Sequence, residues 1–356
     1  MNLPEVLVAN PMDEKDRLLL TYLQNGLPLT PRPFDVWSAK IGLDSAELLV
    51  RIQRLKKEGT FGGIKAILDP RAFHYQSAWV ALKLGSSEVE SGTEVLWKHP
   101  GVIYGCEREH EFNVWFFIAA PASHDLELHV RCLEKLVGAQ EALFLPVRRV
   151  FKGSDLLSAL DAETFSAMNE RFEKRSEALP KDWLSAEEIE MVRQLQEPFP
   201  LTDEPYQKIA AELGITEGQV LERMKALVKK GCLKKIGSFL KPAATVPEAR
   251  TLVVWQIPEE KLERIGPEIA EFGEVLYADR RPAHPEFPYS LHTMIRSETA
   301  AELETVTRRM QDRIVKWPHR VLVTTRELKK KQMDYFPGGL DAWWRENRRV
   351  VETAFH

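Results

Sequence analysis

Two short segments of the chain, residues 104–116 and 277–294, carry similar sets of chemically active side chains. In each, a tyrosine near the end of a predicted strand is followed by an arginine, a histidine and a second strand rich in aromatic residues. An arginine guanidinium binds carboxylates through its planar fork, and a histidine exchanges protons near neutral pH. The two segments therefore predict a site for carboxylate binding and proton transfer that is built twice.

Composition restricts the class of protein. The chain has 356 residues and a formal net charge of −4, so it presents no overall positive charge that would attract DNA. Its cysteines, Cys106, Cys132 and Cys232, show no Cys-x-x-Cys spacing and indicate reduced thiols, with neither disulfides nor a zinc site. No apolar run approaches the ~20 residues of a membrane helix, and residues 1–10 lack the pattern of a secretory signal. We therefore expect a cytoplasmic protein without a membrane span.

The chain repeats itself over about half its length. Gly42 and Gly214 lie 172 positions apart in matching helical segments, and Tyr104 and Tyr277 lie 173 positions apart. Self-similarity at a fixed spacing indicates duplicated structural units. Further matching pairs are Gly59 and Gly231, Arg108 and Arg281, and Arg149 and Arg326. We expect two homologous halves that pair with each other within one chain, and a homodimer of such chains.

Each half predicts two domains, and the expected fold class is α+β with two tandem repeats. Three helices, with N-cap residues such as Asp44 and Thr216, predict a winged helix-turn-helix domain. Alternating strand and helix patterns then predict a ferredoxin-like βαββαβ domain, whose last strands are expected at 142–150 and 319–326. The predicted boundaries are 1–70 and 183–243 for the helix-turn-helix domains, 71–152 and 244–336 for the ferredoxin-like domains, 153–182 for a helical linker and 337–356 for a C-terminal helical tail.

This domain order resembles the Lrp/AsnC transcription regulators, which bind DNA and a small ligand. DNA-reading helices place basic and amide side chains where they meet bases and phosphates. Here the third helix of each half, which would be the DNA-reading helix, carries acids in its leading turn, including Asp44, Glu47 and Glu217, which would repel phosphates. The basic residues that follow suit a solvated helix C-terminus. We therefore interpret the helix-turn-helix units as packing elements and do not expect DNA binding, with a regulator as the chief alternative.

Residues 104–116 and 277–294 lie where each ferredoxin-like domain is expected to form a hairpin between its second and third strands, and we call them the first and second hairpins. Their sequences are similar to those of a narrower family, the siroheme decarboxylases. Three stretches carry the resemblance: residues 277–282 with 285–296, residues 108–116, and residues 324–330. The second of these reads Arg-Glu-His-Glu-Phe-Asn-Val-Trp-Phe, and the first includes Phe-Pro-Tyr-Ser-Leu-His-Thr-Met-Ile. The chain looks like the two subunits of that family fused head to tail. It departs from the family pattern at Ser290, His292 and Arg296, where Asn, Phe and His are usual.

The resemblance implies an enzyme of the carboxy-lyase class. Its substrate would be siroheme, from which two acetate carboxylates leave as CO2 to give didecarboxysiroheme for heme or d-type heme synthesis. No cofactor beyond this iron-tetrapyrrole is expected, and heme binding is a further expectation. A non-catalytic heme or siroheme sensor is another alternative. Siroheme carries eight carboxylates, so its site needs several arginines, while loss of CO2 requires a proton donor such as histidine.

The expected site residues follow from the resemblance and from this chemistry. Catalytic roles are expected for His110, His284 and His292, and either His110 or His292 is the candidate axial ligand of the siroheme iron. Arginines on spectator carboxylates and aromatic rings stacked on the macrocycle should bind the substrate. These substrate-binding residues are Arg108, Arg149, Arg280, Arg281, Arg326, Trp115, Tyr289, Tyr104 and Tyr277.

Overall fold

The computed structural model describes residues 12–60, 62–152, 183–238, 250–314, 316–331 and 333–352. The chain divides into two compact units, one formed by Met1–Ala72 with Leu184–Thr245 and the other by Phe73–Trp183 with Val246–His356. Each unit therefore combines segments from both halves of the sequence. The predicted linker 153–182 lies outside the described residues. Within those ranges, no helix has the length and apolar character needed to cross a membrane.

The elements follow the order expected from the sequence. The helices are α1 Glu14–Asn25, α2 Pro33–Ile41, α3 Ser45–Lys57, α4 Val89–Lys98, α5 Leu126–Val137, α6 Ala186–Leu195, α7 Pro205–Leu213, α8 Glu217–Lys229, α9 Glu259–Ala270, α10 Ala300–Ile314, α11 Leu340–Asn347 and α12 Arg349–Glu352. The strands are β1 Lys65–Leu68, β2 Tyr75–Lys83, β3 Val102–Arg108, β4 Val114–Pro121, β5 Glu141–Leu145, β6 Arg149–Lys152, β7 Leu233–Gly237, β8 Arg250–Trp255, β9 Val275–Arg280, β10 Leu291–Arg296, β11 His319–Leu322 and β12 Thr324–Lys330.

The first unit contains both helix-turn-helix segments. Gly42 and Gly214 adopt left-handed conformations, with φ of 72° and 65°, at the turns that lead into α3 and α8. The Asp44 side chain caps α3 by accepting a hydrogen bond from the backbone N–H of Glu47. Strands β1 and β7 pair antiparallel with each other, so the wing strands of the two halves form one small sheet.

Two basic residues of α3, Arg51 and Arg54, form ion pairs within this unit. Arg51 Nη1 lies 2.6 Å from a carboxylate oxygen of Asp13 and 3.0 Å from one of Asp16. Arg54 also pairs with Asp16, which is buried. A phosphate contact would have to break these internal ion pairs. Arg51 and Arg54 of α3 therefore have a structural role within this unit.

The second unit contains two five-stranded antiparallel sheets. Their strand orders are β12-β3-β4-β2-β5 and β11-β8-β10-β9-β6. Helices α4 and α5 contribute residues such as Leu96 and Leu133 to the core on one face of the first sheet. Helices α9 and α10 do the same for the second sheet with residues such as Ile265 and Met310. One face of each sheet is thereby covered by its own helices.

The last strand of each half is not the single strand predicted from the sequence. The predicted strands 142–150 and 319–326 are each split in two, and the second piece crosses to the other sheet. Strand β6 pairs with β9 of the second half, and β12 pairs with β3 of the first half. Pro146 follows β5 and lacks the N–H that a continuing ladder requires, which explains the first break. The two halves therefore exchange edge strands.

The C-terminal helix α11 packs on the first-half sheet domain. Trp343 and Leu340 are buried in the core beneath α4 and α5. Three histidines form a hydrogen-bonded row under this helix. His99 Nε2 lies 2.9 Å from His129 Nδ1, and His129 Nε2 lies 3.3 Å from His124 Nδ1. The backbone N–H of Gly101 donates to His99 Nδ1, so His99 can donate from Nε2 to His129, and His129 can donate from Nε2 to His124.

This histidine row predicts a loss of stability in acid. Burial lowers the pKa of His129 to about 4 from an ordinary value of 6.5, and it also lowers the pKa of His99. The unfolded chain then binds protons that the folded chain does not, so the free energy of unfolding falls as the pH drops from 6.5 towards 4. We expect His129 alone to contribute about 3 kcal/mol to this fall, measured by urea denaturation. The same pH slope in a His129→Phe variant would contradict the assignment.

Candidate functional site

The faces of the two sheets that lie away from the helices meet each other. Side chains alternate along a strand, so when one set enters the helix-side core the next set points to the opposite face. The Arg281 guanidinium carbon lies 5.5 Å above the Trp79 ring, and the Phe287 ring lies 5.7 Å from the Trp115 ring. These contacts join the second half to the first. We call this region the inter-sheet layer, and its members are Trp79, Tyr104, Arg108, Trp115, Tyr277, Asp279, Arg281, Phe287 and His292.

Arg108 is a buried cation whose hydrogen-bond acceptors among the described residues are neutral. It is 5% exposed, and its Nη1 donates to the Leu322 carbonyl at 2.9 Å and to Thr324 Oγ1 at 3.0 Å. Its guanidinium carbon lies 5.5 Å from the Trp115 ring centroid, which adds a cation–π contact. Its Nε has no hydrogen-bond partner among the described residues. Arg108 can therefore donate to a further acceptor, and its charge favours an anionic one.

Arg281, the equivalent residue of the second half, already has a carboxylate partner. Its Nε donates to both carboxylate oxygens of Asp279, at 3.0 and 3.1 Å, and its Nη2 donates at 3.0 Å. Both side chains are buried. Burial raises the pKa of Asp279, while Arg281 and a hydrogen bond from Tyr277 act in the opposite direction. Arg281 and Asp279 thus neutralise each other's charge through a charge-assisted, hydrogen-bonded ion pair.

His292 faces Asp279 across β9 and β10 and is fully buried. Its Nε2 lies 3.3 Å from the Tyr289 carbonyl, which can only accept, so the hydrogen of the neutral ring sits on Nε2. Its Nδ1 has no partner among the described residues and presents a lone pair. Burial holds the pKa of His292 well below its usual range, and the nearby charges of Arg281 and Arg108 lower it further.

His110 presents the opposite nitrogen at the tip of the first hairpin. Its Nδ1 accepts a hydrogen bond from the backbone N–H of Phe112 at 3.1 Å, which leaves the hydrogen of the neutral ring on Nε2. The ring is partly buried and stacks on Phe112 at 5.9 Å. Burial lowers the pKa of His110, as does the charge of Arg320. His110 therefore offers an N–H donor, whereas His292 offers a lone pair.

Phe287 lies at the centre of the aromatic contacts. Its fully buried ring lies 5.6 Å from His110 and 5.9 Å from His292, so it separates the two histidines. Its remaining ring contacts are with Phe112, Trp115 and Tyr289. Sequence reasoning did not select Phe287, although it stands inside the Phe-Pro-Tyr run on which the family resemblance rests.

His284 lies at the base of the Phe287 loop. Its backbone N–H and carbonyl exchange hydrogen bonds with those of Phe287, both at 3.0 Å. Its Nε2 lies 3.3 Å from the carbonyl of Phe144 on β5 of the first half. His284 thus joins the loop to the other half, and among the described residues it forms no hydrogen bond with Arg108 or His292.

Three of the expected arginines lie on the helix-covered side of the sheets. Arg149 and Arg280 are neighbours across β6 and β9, and both form ion pairs with Glu263 of α9. Arg326 lies 2.6 Å from Glu90 of α4. These side chains are therefore placed apart from Arg108 and His292, because alternation along the strands turns them to the other face.

Tyr104, Trp79 and Asp279 also belong to the inter-sheet layer. Tyr104 packs edge to face on Trp79 at 5.7 Å, and burial raises its pKa. Trp79 Nε1 is buried without a hydrogen-bond partner among the described residues. Sequence reasoning missed Trp79, since a tryptophan on a central strand looks like ordinary core. It also missed Asp279, for which the spacing of two residues to Arg281 on one strand was an available signal.

Comparison with known proteins identifies both kinds of domain. A family model described as the siroheme decarboxylase NirDL-like HTH domain matches residues 16–61 and 188–233. A model described as the AsnC-like ligand binding domain matches residues 72–152 and 248–329. Each model thus matches once in each half, and the two tandem α+β repeats predicted from the sequence are confirmed.

Relatives named as siroheme decarboxylases resemble the whole chain or one half of it. A siroheme decarboxylase from Hydrogenobacter thermophilus is 30% identical over 92% of this chain and 97% of its own length. A siroheme decarboxylase beta subunit from Methanosarcina barkeri is 32% identical over 40% of this chain and 94% of its own length. The crystal structure of the siroheme decarboxylase NirDL in complex with an iron-uroporphyrin III analogue superposes with a TM-score of 0.72 at 26% identity. It covers 96% of this chain and 100% of that one.

The position of Phe287 gives a prediction about stability. Replacing Phe287 with Ala removes a fully buried ring and leaves a cavity, which should lower the free energy of unfolding by about 3–5 kcal/mol in urea denaturation. A Phe287→Leu variant fills most of this space and should lose far less. Equal losses in both variants would show that the ring contacts with His110 and Trp115 do not carry the effect.

Proposed function

The chain belongs to the siroheme decarboxylase family, and we propose that it removes two acetate carboxylates of siroheme as CO2. The observation that carries this proposal is a pair of buried, unpartnered polar atoms in the inter-sheet layer, Arg108 Nε and His292 Nδ1. Buried polar atoms without partners are rare in folded proteins, and a bound ligand that supplies the missing partner is one explanation for them. A polycarboxylate iron-tetrapyrrole supplies both an anion for the arginine and a metal for the lone pair.

Arg108 is the proposed anchor for a spectator carboxylate. Its Nη1 donates to the Leu322 carbonyl and to Thr324 Oγ1, and its guanidinium packs on the Trp115 ring. Its Nε is therefore the nitrogen that we propose binds the substrate. A charge-assisted hydrogen bond to this nitrogen would neutralise the buried cation. The acetate that leaves should lie elsewhere, since an ion pair would stabilise the ground state more than the transition state.

His110 is the proposed proton donor. Cleavage of the bond between the acetate methylene and its carboxylate releases CO2 and leaves the electron pair on the methylene carbon, where the conjugated ring stabilises it. A proton must then reach that carbon to form a methyl group. Nε2 of His110 carries the hydrogen, and its partly buried position allows renewal of the proton from solvent. Two such events convert siroheme to didecarboxysiroheme.

His292 is the proposed axial contact to the siroheme iron. Its lone pair lies on Nδ1, and its lowered pKa keeps the ring neutral, as a metal ligand must be. The hydrogen bond from Nε2 to Tyr289 fixes the ring orientation, as is usual for metal-binding histidines. The tetrapyrrole is substrate here, so no added cofactor is proposed. The carboxy-lyase class, the cytoplasmic location and the homodimer stay predictions.

Incubation with siroheme tests the proposal directly. Purified full-length protein and siroheme, mixed without oxygen and followed by mass spectrometry, should show two successive losses of CO2. Bound but unchanged siroheme would instead support the sensor alternative. Unchanged siroheme together with tight, salt-dependent binding to duplex DNA would support a regulator.

A His110→Ala variant tests the proton donor. Turnover should fall by about 10²- to 10⁴-fold because general acid catalysis is lost, while the dissociation constant for siroheme should change little. His319→Gln is the matched control, since His319 lies on edge strand β11 and stacks on Trp255 on the helix-side face of its sheet. Equal turnover in the His110→Ala variant and the parent would remove His110 from the mechanism.

A further inference from the structure

The two arginines at equivalent positions have different electrostatic surroundings. Arg108 ends β3, and Arg281 directly follows β9, at an offset of 173 positions. Two residues earlier on the same face, the first half has Cys106 and the second half has Asp279. The first half thus has a cysteine side chain where the second half has an aspartate. The two halves have therefore diverged in the charge that accompanies the arginine.

Asp279 satisfies the guanidinium of Arg281 and makes it a poor anion receptor. The pair shares three hydrogen bonds of 3.0 to 3.1 Å, and Asp279 is fully buried. A substrate carboxylate beside Arg281 would lie next to a second negative charge in a medium of low dielectric constant. Two carboxylates in one such place repel each other strongly.

Arg108 is in the reverse situation. Its acceptors are a carbonyl and a hydroxyl, which leave its charge uncompensated, and its Nε has no partner among the described residues. An isolated buried charge is unfavourable by several kcal/mol unless an anion arrives. The first half therefore retains an arginine that is ready for a substrate carboxylate.

We propose that Asp279 is a specificity-determining residue that closes the second-half arginine to substrate carboxylates, so that one chain binds one tetrapyrrole through Arg108. The substrate class in this statement rests on the proposed function. Asp279 acts through Arg281 and touches no reacting atom, so it is a positioning residue. The chain is then a duplicated protein with a single anion-binding arginine in its inter-sheet layer.

A porphyrin titration tests the stoichiometry. The full chain is titrated with iron-uroporphyrin III and followed by porphyrin absorbance, and we expect saturation at one equivalent per chain. Arg108→Gln should weaken binding by about 10- to 100-fold, because a charge-assisted hydrogen bond is lost. The double variant Asp279→Asn, Arg281→Gln removes both charges together and should bind within about threefold of the parent.

Two results of this titration would overturn this proposal alone. One is saturation of the parent at two equivalents. The other is an equal loss of affinity in the Arg108→Gln variant and in the double variant. Absence of any porphyrin binding would overturn both this proposal and the proposed function, whereas binding at one equivalent without CO2 release would overturn the proposed function alone.

Thermal unfolding without ligand gives a second, independent measurement. Arg108→Gln removes an uncompensated buried charge, so its unfolding midpoint should equal or exceed that of the parent. Arg281→Gln leaves Asp279 buried without its counter-charge, and its midpoint should fall by about 10 °C. The double variant should recover most of that loss. Equal falls for Arg108→Gln and Arg281→Gln would overturn the asymmetry on which the proposal stands.

Discussion

Burying a guanidinium away from water is unfavourable by several kcal/mol unless an anion or a set of acceptors replaces the lost hydration. The second unit buries two, Arg108 and Arg281, between facing sheets. Asp279 compensates one of them, and neutral oxygens compensate the other only in part. The pKa of His292 responds to both charges, which help to keep that ring neutral. The chemistry available in the layer follows from this uneven compensation.

The exchange of edge strands places the partners of Arg108. Its acceptors, Leu322 and Thr324, lie where β11 of one sheet passes into β12 of the other. If the chain continued along its own sheet at this point, both groups would be carried away from the first hairpin. The same exchange pairs β6 with β9 beside Arg281. The second half thus supplies acceptors to Arg108 of the first half, and the first half supplies the Trp79 ring to Arg281 of the second.

Local sequence patterns predict the elements of this fold well, and the exchange of strands poorly. Helix caps such as Asp44 and the alternation of side chains along each strand are local signals. The turn glycine Gly42 recurs as Gly214 in the second half, so each half supports the helix assignment of the other. Which sheet a strand joins depends on contacts distant in sequence, so the paths of β6 and β12 could not be read in advance. The face of the sheet on which Arg149 and Arg326 lie could not be predicted either, because a shift of one residue along a strand moves a side chain to the other face.

The two histidines of the layer are distinguished by their backbone contacts. The N–H of Phe112 fixes the hydrogen of His110 on Nε2, and the carbonyl of Tyr289 leaves a lone pair on Nδ1 of His292. Both rings lie within 6 Å of Phe287, so a flat macrocycle that reaches both must take the place of that ring. The loop that carries Phe287 contains prolines 282, 285 and 288, which restrict its backbone. The hydrogen bond from His284 Nε2 to the Phe144 carbonyl fixes this loop to the first half.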